Sequence, residues 1–94
     1  MLFAFYGLDK ANSESLRLEH RPAHVAFLET LGETLVAAGP LLSDDGTAMV
    51  GSLLILEAPD RAAVDAILAA DPYAHAGLFR SVAVHPWRRV FPRV

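Results

Sequence analysis

Two polar residues half a chain apart are the strongest candidates for chemistry in this sequence. His24 follows a proline by two positions, and Asp71 directly precedes another proline. A histidine and a carboxylate are the usual means of moving protons near neutral pH, because imidazole titrates in that range. Whether His24 and Asp71 meet in the fold therefore decides whether the sequence encodes a proton-transfer site.

Each of these two residues also has a purely structural interpretation. His24 can be a polar residue in a first helical turn that faces water. Asp71 followed by Pro72 is typical of an N-cap and first position of a short helix, where the carboxylate accepts hydrogen bonds from backbone N–H groups. A capping carboxylate still has a second oxygen to offer His24, so the two interpretations of Asp71 are compatible.

Three further side chains suit ligand binding. Arg21 can bind a carboxylate or phenolate, or pair at the surface with Glu19, where an ion pair contributes little. Ser52 is a polar residue in an apolar segment, and its hydroxyl can contact a ligand or bond to a neighbouring backbone group. Tyr73 is amphipathic and suits either a pocket or an interface.

Metal and cofactor sites are not expected. The chain has no cysteine. His20 and His24 have a spacing that can bind metal on a helix, but Pro22 biases the residues before it away from helical geometry, and no third ligand is nearby. No phosphate-loop, dinucleotide or nucleophile-elbow motif occurs. The sequence thus predicts neither a metal nor a cofactor.

Composition restricts the class of protein further. The 94 residues predict one domain over 1–94, and a net charge of -3 argues against a nucleic-acid partner. The apolar start lacks a basic leader and no apolar run is long enough to span a bilayer, so we expect no membrane partner. Together with the absence of cysteine, this favours a cytoplasmic location.

The hydrophobic pattern predicts the order β-α-β-β-α-β. The predicted strands are 2–8, 35–42, 48–57 and 78–85, and the predicted helices are 22–31 and 60–70, the second capped by Asp60. Residues 43–46 are a strong turn signal, so the second and third strands are expected to form a hairpin. Gly39-Pro40 marks a bulge or an edge position. Residues 9–21 are predicted to form a loop that can contain one helical turn, so that Pro22 begins the first helix and His24 lies in its first turn. There the helix dipole would disfavour the protonated imidazole.

This order indicates a ferredoxin-like α+β fold with a four-stranded antiparallel sheet. Two helices cover only one face of such a sheet, and the other face should be polar if it contacts water. The third strand is instead apolar on both sides, with Val50, Leu54 and Leu56 alternating with Met49, Leu53 and Ile55. We therefore expect a homodimer in which two sheets pack face to face.

Short motifs along the whole chain resemble the YCII-related (YciI-like) family. They are Arg21-Pro22-x-His24, Gly39-Pro40, Gly51-Ser52, Asp71-Pro72-Tyr73, Ala76-Gly77-Leu78-Phe79 and Pro86-Trp87-Arg88-Arg89-Val90-Phe91. The resemblance implies a dimeric α+β barrel with a ferredoxin-like protomer. It also implies that His24 and Asp71 form an active-site dyad. Residues expected to bind substrate are Arg21, Gly39, Pro40, Ser52 and Tyr73.

The resemblance implies proton transfer on small organic molecules, in an elimination or an isomerisation. One relative is a dehydrochlorinase that acts on a chlorinated hydroxyhydroquinone, and muconolactone isomerase shares the broader fold. Two alternatives remain open. The pocket can belong to a non-catalytic binding or accessory module, or the bond between His24 and Asp71 can be purely structural.

Overall fold

The computed structural model describes residues 1–93, which contain four strands and three α-helices. In chain order they are β1 (Leu2–Asp9), α1 (Glu14–Glu29), β2 (Leu35–Leu42), β3 (Met49–Glu57), α2 (Arg61–Ala70), α3 (Pro72–His75) and β4 (Phe79–Trp87). A 3-10 turn over Gly32–Thr34 joins α1 to β2. Within residues 1–93, no helix is long and apolar enough to cross a membrane.

The strands form one antiparallel sheet in the order β2-β3-β1-β4. The two central strands are β1 and β3, so β2 and β4 are the edges. Pro40 and Pro86 lie on these edge strands, where the missing backbone donor does not interrupt the sheet. The predicted topology is confirmed, and of the two alternatives for Gly39-Pro40, a bulge or an edge position, the edge position is observed.

The hydrophobic core lies between the helices and one face of the sheet. Phe3 and Phe5 of β1 alternate onto this face, opposite Leu56 and Leu54 of β3, and Val64 of α2 packs over them. All five are at most 4% exposed. Burial of each such side chain contributes roughly 2 kcal/mol, which holds α1 and α2 on this face.

The first helix begins earlier than the sequence predicts. It starts at Glu14, so residues 14–21 are helical and the predicted loop is wrong. Pro22 lies inside the helix, and it cannot donate to the carbonyl of Leu18. Leu18 is 59% exposed, so water can satisfy that carbonyl. His24 is consequently the eleventh residue of α1, and the expected dipole effect is wrong because such effects are confined to the terminal turns.

Capping aspartates begin the two later helices. Asp60 accepts a hydrogen bond from the backbone N–H of Ala63 at 2.9 Å, and Asp71 accepts one from that of Tyr73, also at 2.9 Å. Pro72 occupies the first position of α3, where its missing donor has no cost. The single turn of α3 places Asp71 and Tyr73 against α1.

A carboxylate also fixes the turn between β2 and β3. Asp45 accepts hydrogen bonds from the Ser43 hydroxyl at 2.7 Å and from the Thr47 backbone N–H and hydroxyl at 3.0 and 2.7 Å. The Ser43 bond, followed by those from Thr47, lowers the pKa of Asp45 to about 2. The turn residues thus form the hairpin that the sequence predicts.

The second face of the sheet is apolar, and no helix among residues 1–93 covers it. Tyr6 pairs with Leu53 across β1 and β3, and Leu2 pairs with Trp87 across β1 and β4. Tyr6, Leu53 and Trp87 are 45%, 40% and 39% exposed. We call this surface the open face; it is the surface that the sequence assigns to a dimer, and the dimer itself stays a prediction.

Candidate functional site

A cavity of about 160 Å³ lies between α1 and strands β2 and β3. A cavity of roughly 150 Å³ is large enough for a benzene-sized molecule. Six of the seven predicted site residues line it: Arg21, His24, Gly39, Pro40, Ser52 and Tyr73. The seventh, Asp71, lies behind His24 and contacts it directly. The fold therefore brings all seven together, while their roles stay predictions.

His24 and Asp71 form a buried hydrogen bond. The His24 Nδ1 lies 2.8 Å from the Asp71 Oδ1, and the two side chains are 10% and 5% exposed. The same Oδ1 accepts the hydrogen bond from the Tyr73 backbone that caps α3. Asp71 is therefore both a helix cap and a hydrogen-bond partner of His24, but the expected use of a second oxygen is wrong, because Oδ1 accepts both bonds.

The geometry leaves the second imidazole nitrogen free. A carboxylate only accepts hydrogen bonds, so the His24 Nδ1 carries the hydrogen. Among residues 1–93, Nε2 has no hydrogen-bond partner. Every fully buried side-chain nitrogen in that range has a partner, so Nε2 is not fully buried. Since His24 lines the cavity, Nε2 is open to it. In this tautomer, the nitrogen with a lone pair faces any bound molecule.

Tyr73 fixes the orientation of the imidazole. Its ring stacks on His24 with 3.9 Å between centroids and 13° between planes, and the Arg17 guanidinium carbon lies 4.7 Å from its centroid. Burial raises the pKa of the Tyr73 phenol, and the positive charges of Arg17 and Arg21 only partly oppose this. The phenol therefore stays neutral at physiological pH and acts as a packing surface for His24.

Arg17 is the functional-site residue that the sequence interpretation missed. It is 2% exposed, and its Nε and Nη2 donate to Asp9 Oδ2 and Oδ1 at 2.7 and 3.0 Å. Nη2 also donates to the Ser52 hydroxyl at 2.8 Å. The bidentate pair with Asp9 is nearly dry, and it places a guanidinium in the cavity wall beside Ser52 and Tyr73.

A spacing signal for Arg17 was present in the sequence. One face of α1 carries residues at intervals of four, three and four: Arg17, Arg21, His24 and Leu28. This is the period of a continuous helix that passes through Pro22. The signal is hard to read because the first three residues are polar, whereas helix prediction searches for apolar ones.

The described residues contain no assembled metal site. No group of three or more potential His, Cys, Asp or Glu ligands occurs within residues 1–93. His20 and His24 do lie on one helix, so the reason given for doubting this pair was wrong. The His20 Nε2 nevertheless lies 3.9 Å from the Glu19 Oε2, and His20 does not line the cavity.

A wider groove of about 490 Å³ runs beside the turn from β1 to α1. Its lining includes Asp9, Lys10 and Glu14 but no histidine. Asp9 already has Arg17 as its partner, so the groove holds no buried charge in need of a ligand. The smaller cavity beside His24 remains the better candidate for chemistry.

Comparison with known proteins identifies the family. The YCII-related domain matches residues 1–88. The chain belongs to the YCII-related family. Protein YciI of Escherichia coli O6:H1 is 41% identical to it, over 97% of this chain and 100% of that protein. An uncharacterized protein of Haemophilus influenzae is 31% identical over the same shares. The family membership predicted from the motifs is confirmed.

Solved structures agree with this assignment. The 5-chloro-2-hydroxyhydroquinone dehydrochlorinase TftG of Burkholderia phenoliruptrix, in complex with 2,5-dihydroxybenzoquinone, superposes with a TM-score of 0.86. It is 36% identical over 94% of each chain. SnoaB, a cofactor-independent oxygenase from Streptomyces nogalater, has a TM-score of 0.60 and 13% identity over 98% of this chain and 96% of that one, and so shares the fold alone. The predicted ferredoxin-like α+β class is confirmed.

Proposed function

We propose that this YCII-related protein is a small-molecule enzyme that transfers protons with His24 as general acid–base and Asp71 as its orienting partner. The observation that carries the proposal is the 2.8 Å bond between His24 Nδ1 and Asp71 Oδ1, which leaves Nε2 open to the cavity. A base in this position accepts a proton at Nε2, and Asp71 stabilises the imidazolium that forms. Elimination and isomerisation are reaction types that such a pair can catalyse.

The cavity supports a small ring as the substrate. Its volume of about 160 Å³ suits one ring, and Gly39 and Pro40 of the edge strand form the wall opposite α1. Arg21 forms no ion pair within residues 1–93, so its guanidinium is available to an acidic substituent at the rim. We propose that Ser52 and Tyr73 contact the ring itself. The likeness to TftG makes dehydrochlorination the first reaction to test.

The protein should release chloride from 5-chloro-2-hydroxyhydroquinone faster than buffer does. Removal of a proton and departure of chloride with its bonding pair eliminate hydrogen chloride without an external oxidant, so the dyad needs no cofactor for this step. Chloride release and the mass of the organic product measure it. A molecule that binds and is recovered with its mass unchanged would instead favour the non-catalytic binding module.

We further propose that two copies associate through their open faces. Tyr6, Leu53 and Trp87 form an apolar surface that a single chain leaves in water, whereas one-sided antiparallel sheets usually expose polar side chains. This surface is on the side of the sheet away from the cavity, so association leaves the site accessible from α1. The cytoplasmic location also stays a prediction.

Leu53→Glu should convert the proposed dimer into a monomer. A carboxylate at this central position of the open face would be buried without a partner in a face-to-face assembly. Leu18→Glu is the matched control, since Leu18 is equally apolar and 59% exposed but lies on α1. Light scattering after size exclusion gives the mass of each variant. A wild-type monomer, or a Leu53→Glu dimer, would contradict this arrangement.

A further inference from the structure

We infer that Arg17 and Ser52 form an oxyanion-binding pair in the cavity, and that the substrate is a small enol, phenol or enolisable ketone whose oxygen binds there. The inference rests on the proposed function, because it names the substrate class of the same site. It follows from hydrogen-bond donors that the protein holds rigidly but does not itself use.

The guanidinium of Arg17 has donors to spare. Of its five N–H groups, one on Nε and two on Nη2 are directed to Asp9 and Ser52. Within residues 1–93, Nη1 makes no hydrogen bond of ordinary geometry. Every fully buried side-chain nitrogen in that range has a partner, so Nη1 is not fully buried. Nη1 is thus the donor that Arg17 has left for the cavity that it lines, although the residue is only 2% exposed.

The Ser52 hydroxyl also has a donor that the protein does not use. Its oxygen accepts the hydrogen bond from Arg17 Nη2 at 2.8 Å, and its own hydrogen has no acceptor among residues 1–93. Ser52 is 2% exposed and lines the same cavity. A hydroxyl that accepts from a cation is polarised and becomes a stronger donor. Its remaining partner is a molecule in the cavity.

Asp9 holds this pair of donors in place. Its two carboxylate oxygens bind Arg17 in a bidentate arrangement, and both side chains are at most 6% exposed. Donors fixed in this way need no reorganisation when negative charge develops, which is the condition for strong stabilisation of an oxyanion. Asp9 is thus a positioning residue that acts through Arg17.

The pair complements the proton transfer at His24. When His24 Nε2 takes a proton from a carbon beside a carbonyl group, the C–H electron pair forms a C=C bond. The carbonyl π pair then moves to the oxygen and makes an enolate, which Ser52 and Arg17 bind. Re-formation of the carbonyl either returns a proton to another carbon or expels chloride with its bonding pair. No electron is gained or lost overall.

Binding of 2,5-dihydroxybenzoquinone tests the pair without turnover. Its enol oxygens ionise readily, and its visible absorption reports both ionisation and binding. We expect Ser52→Ala to bind the anion about 10- to 100-fold more weakly than wild type, since hydrogen bonds to charged groups are the strong ones. Ser81→Ala, a strand serine outside the cavity, should bind within threefold of wild type.

Arg17→Lys provides a second, independent comparison. Lysine keeps the charge but cannot hold Asp9 in a bidentate pair and also reach Ser52, so a loss of similar size is expected. If this variant fails to fold, Ser52→Ala decides alone, because it removes a single oxygen atom.

The outcomes separate this inference from the proposed function. Weak binding by Ser52→Ala but not by Ser81→Ala supports the oxyanion pair even if no substrate is ever turned over. Failure of the wild-type protein to bind the quinone would overturn the pair. So would equal affinities of Ser52→Ala and wild type, or equal losses in Ser52→Ala and Ser81→Ala.

Discussion

His24→Gln is expected to lower the rate of substrate conversion by about 10²- to 10⁴-fold, the range that positioned acid–base groups supply. Glutamine fills a similar volume and its amide can still donate to Asp71, so the buried carboxylate keeps a partner. It cannot accept a proton at neutral pH. The loss should therefore appear in the rate of chloride release and leave the thermal midpoint of unfolding within a few degrees.

His20→Gln is the matched control for this change. His20 lies one turn earlier on α1, outside the cavity, and is partly exposed to solvent. The same chemical substitution there should leave the rate unchanged. A His24→Gln protein that converts substrate as fast as wild type would remove His24 from the reaction.

Asp71→Asn separates catalysis from structure at the same site. Asparagine can still cap α3, so most of the local stability is kept. It carries no charge to stabilise the imidazolium, and a loss of rate of the same order as for His24→Gln is expected. If the bond is only structural, the rate will be unchanged and the melting temperature alone will fall.

Arg17→Met is expected to destabilise the protein by about 3–5 kcal/mol, a large part of the stability of a small domain. The change leaves the Asp9 carboxylate buried without its partner and removes the donor to Ser52. Uncompensated buried charges are among the costliest defects in a fold. Chemical denaturation followed by circular dichroism measures the free energy of unfolding.

Two further variants test whether the loss of stability in Arg17→Met comes from the unpaired charge of Asp9. Arg61→Met breaks the exposed pair between Arg61 and Asp65 and should cost at most about 0.5 kcal/mol. The double variant Asp9→Leu/Arg17→Met removes both charges and should recover most of the stability. A double variant as unstable as Arg17→Met would show that packing, not charge, accounts for the loss.

Most of the fold follows from local patterns. Strand alternation, the turn around Asp45 and the caps at Asp60 and Asp71 are each encoded within a few neighbouring residues. These signals were sufficient for the order of the elements and for the hairpin. They also placed the apolar open face on the correct strands.

The start of α1 and the role of Arg17 were not predictable in the same way. The buried face of residues 14–21 is polar because it lines a site, so hydrophobic periodicity is absent there. Arg17 is buried only because Asp9, eight residues away, and Ser52, thirty-five residues away, surround it. Such long-range pairing compensates the cost of a buried charge but leaves no local pattern.

The contact between His24 and Asp71 was partly predictable from the sequence. The two residues are forty-seven positions apart, and residue types alone raised only the question of whether they meet. The family resemblance suggested the pair, and the geometry shows the contact. Its chemical role depends on a substrate, which no pattern in the sequence specifies.

The Oδ1 of Asp71 accepts from both the Tyr73 backbone and the His24 ring, and this restricts which residues can occupy the position. At an ordinary helix start, serine, threonine, asparagine and aspartate substitute for one another with little cost. Here a hydroxyl would cap α3 but bring no negative charge to the imidazole, and an amide would do the same. Under the proposed proton transfer, a position that normally tolerates four residue types becomes specific for one.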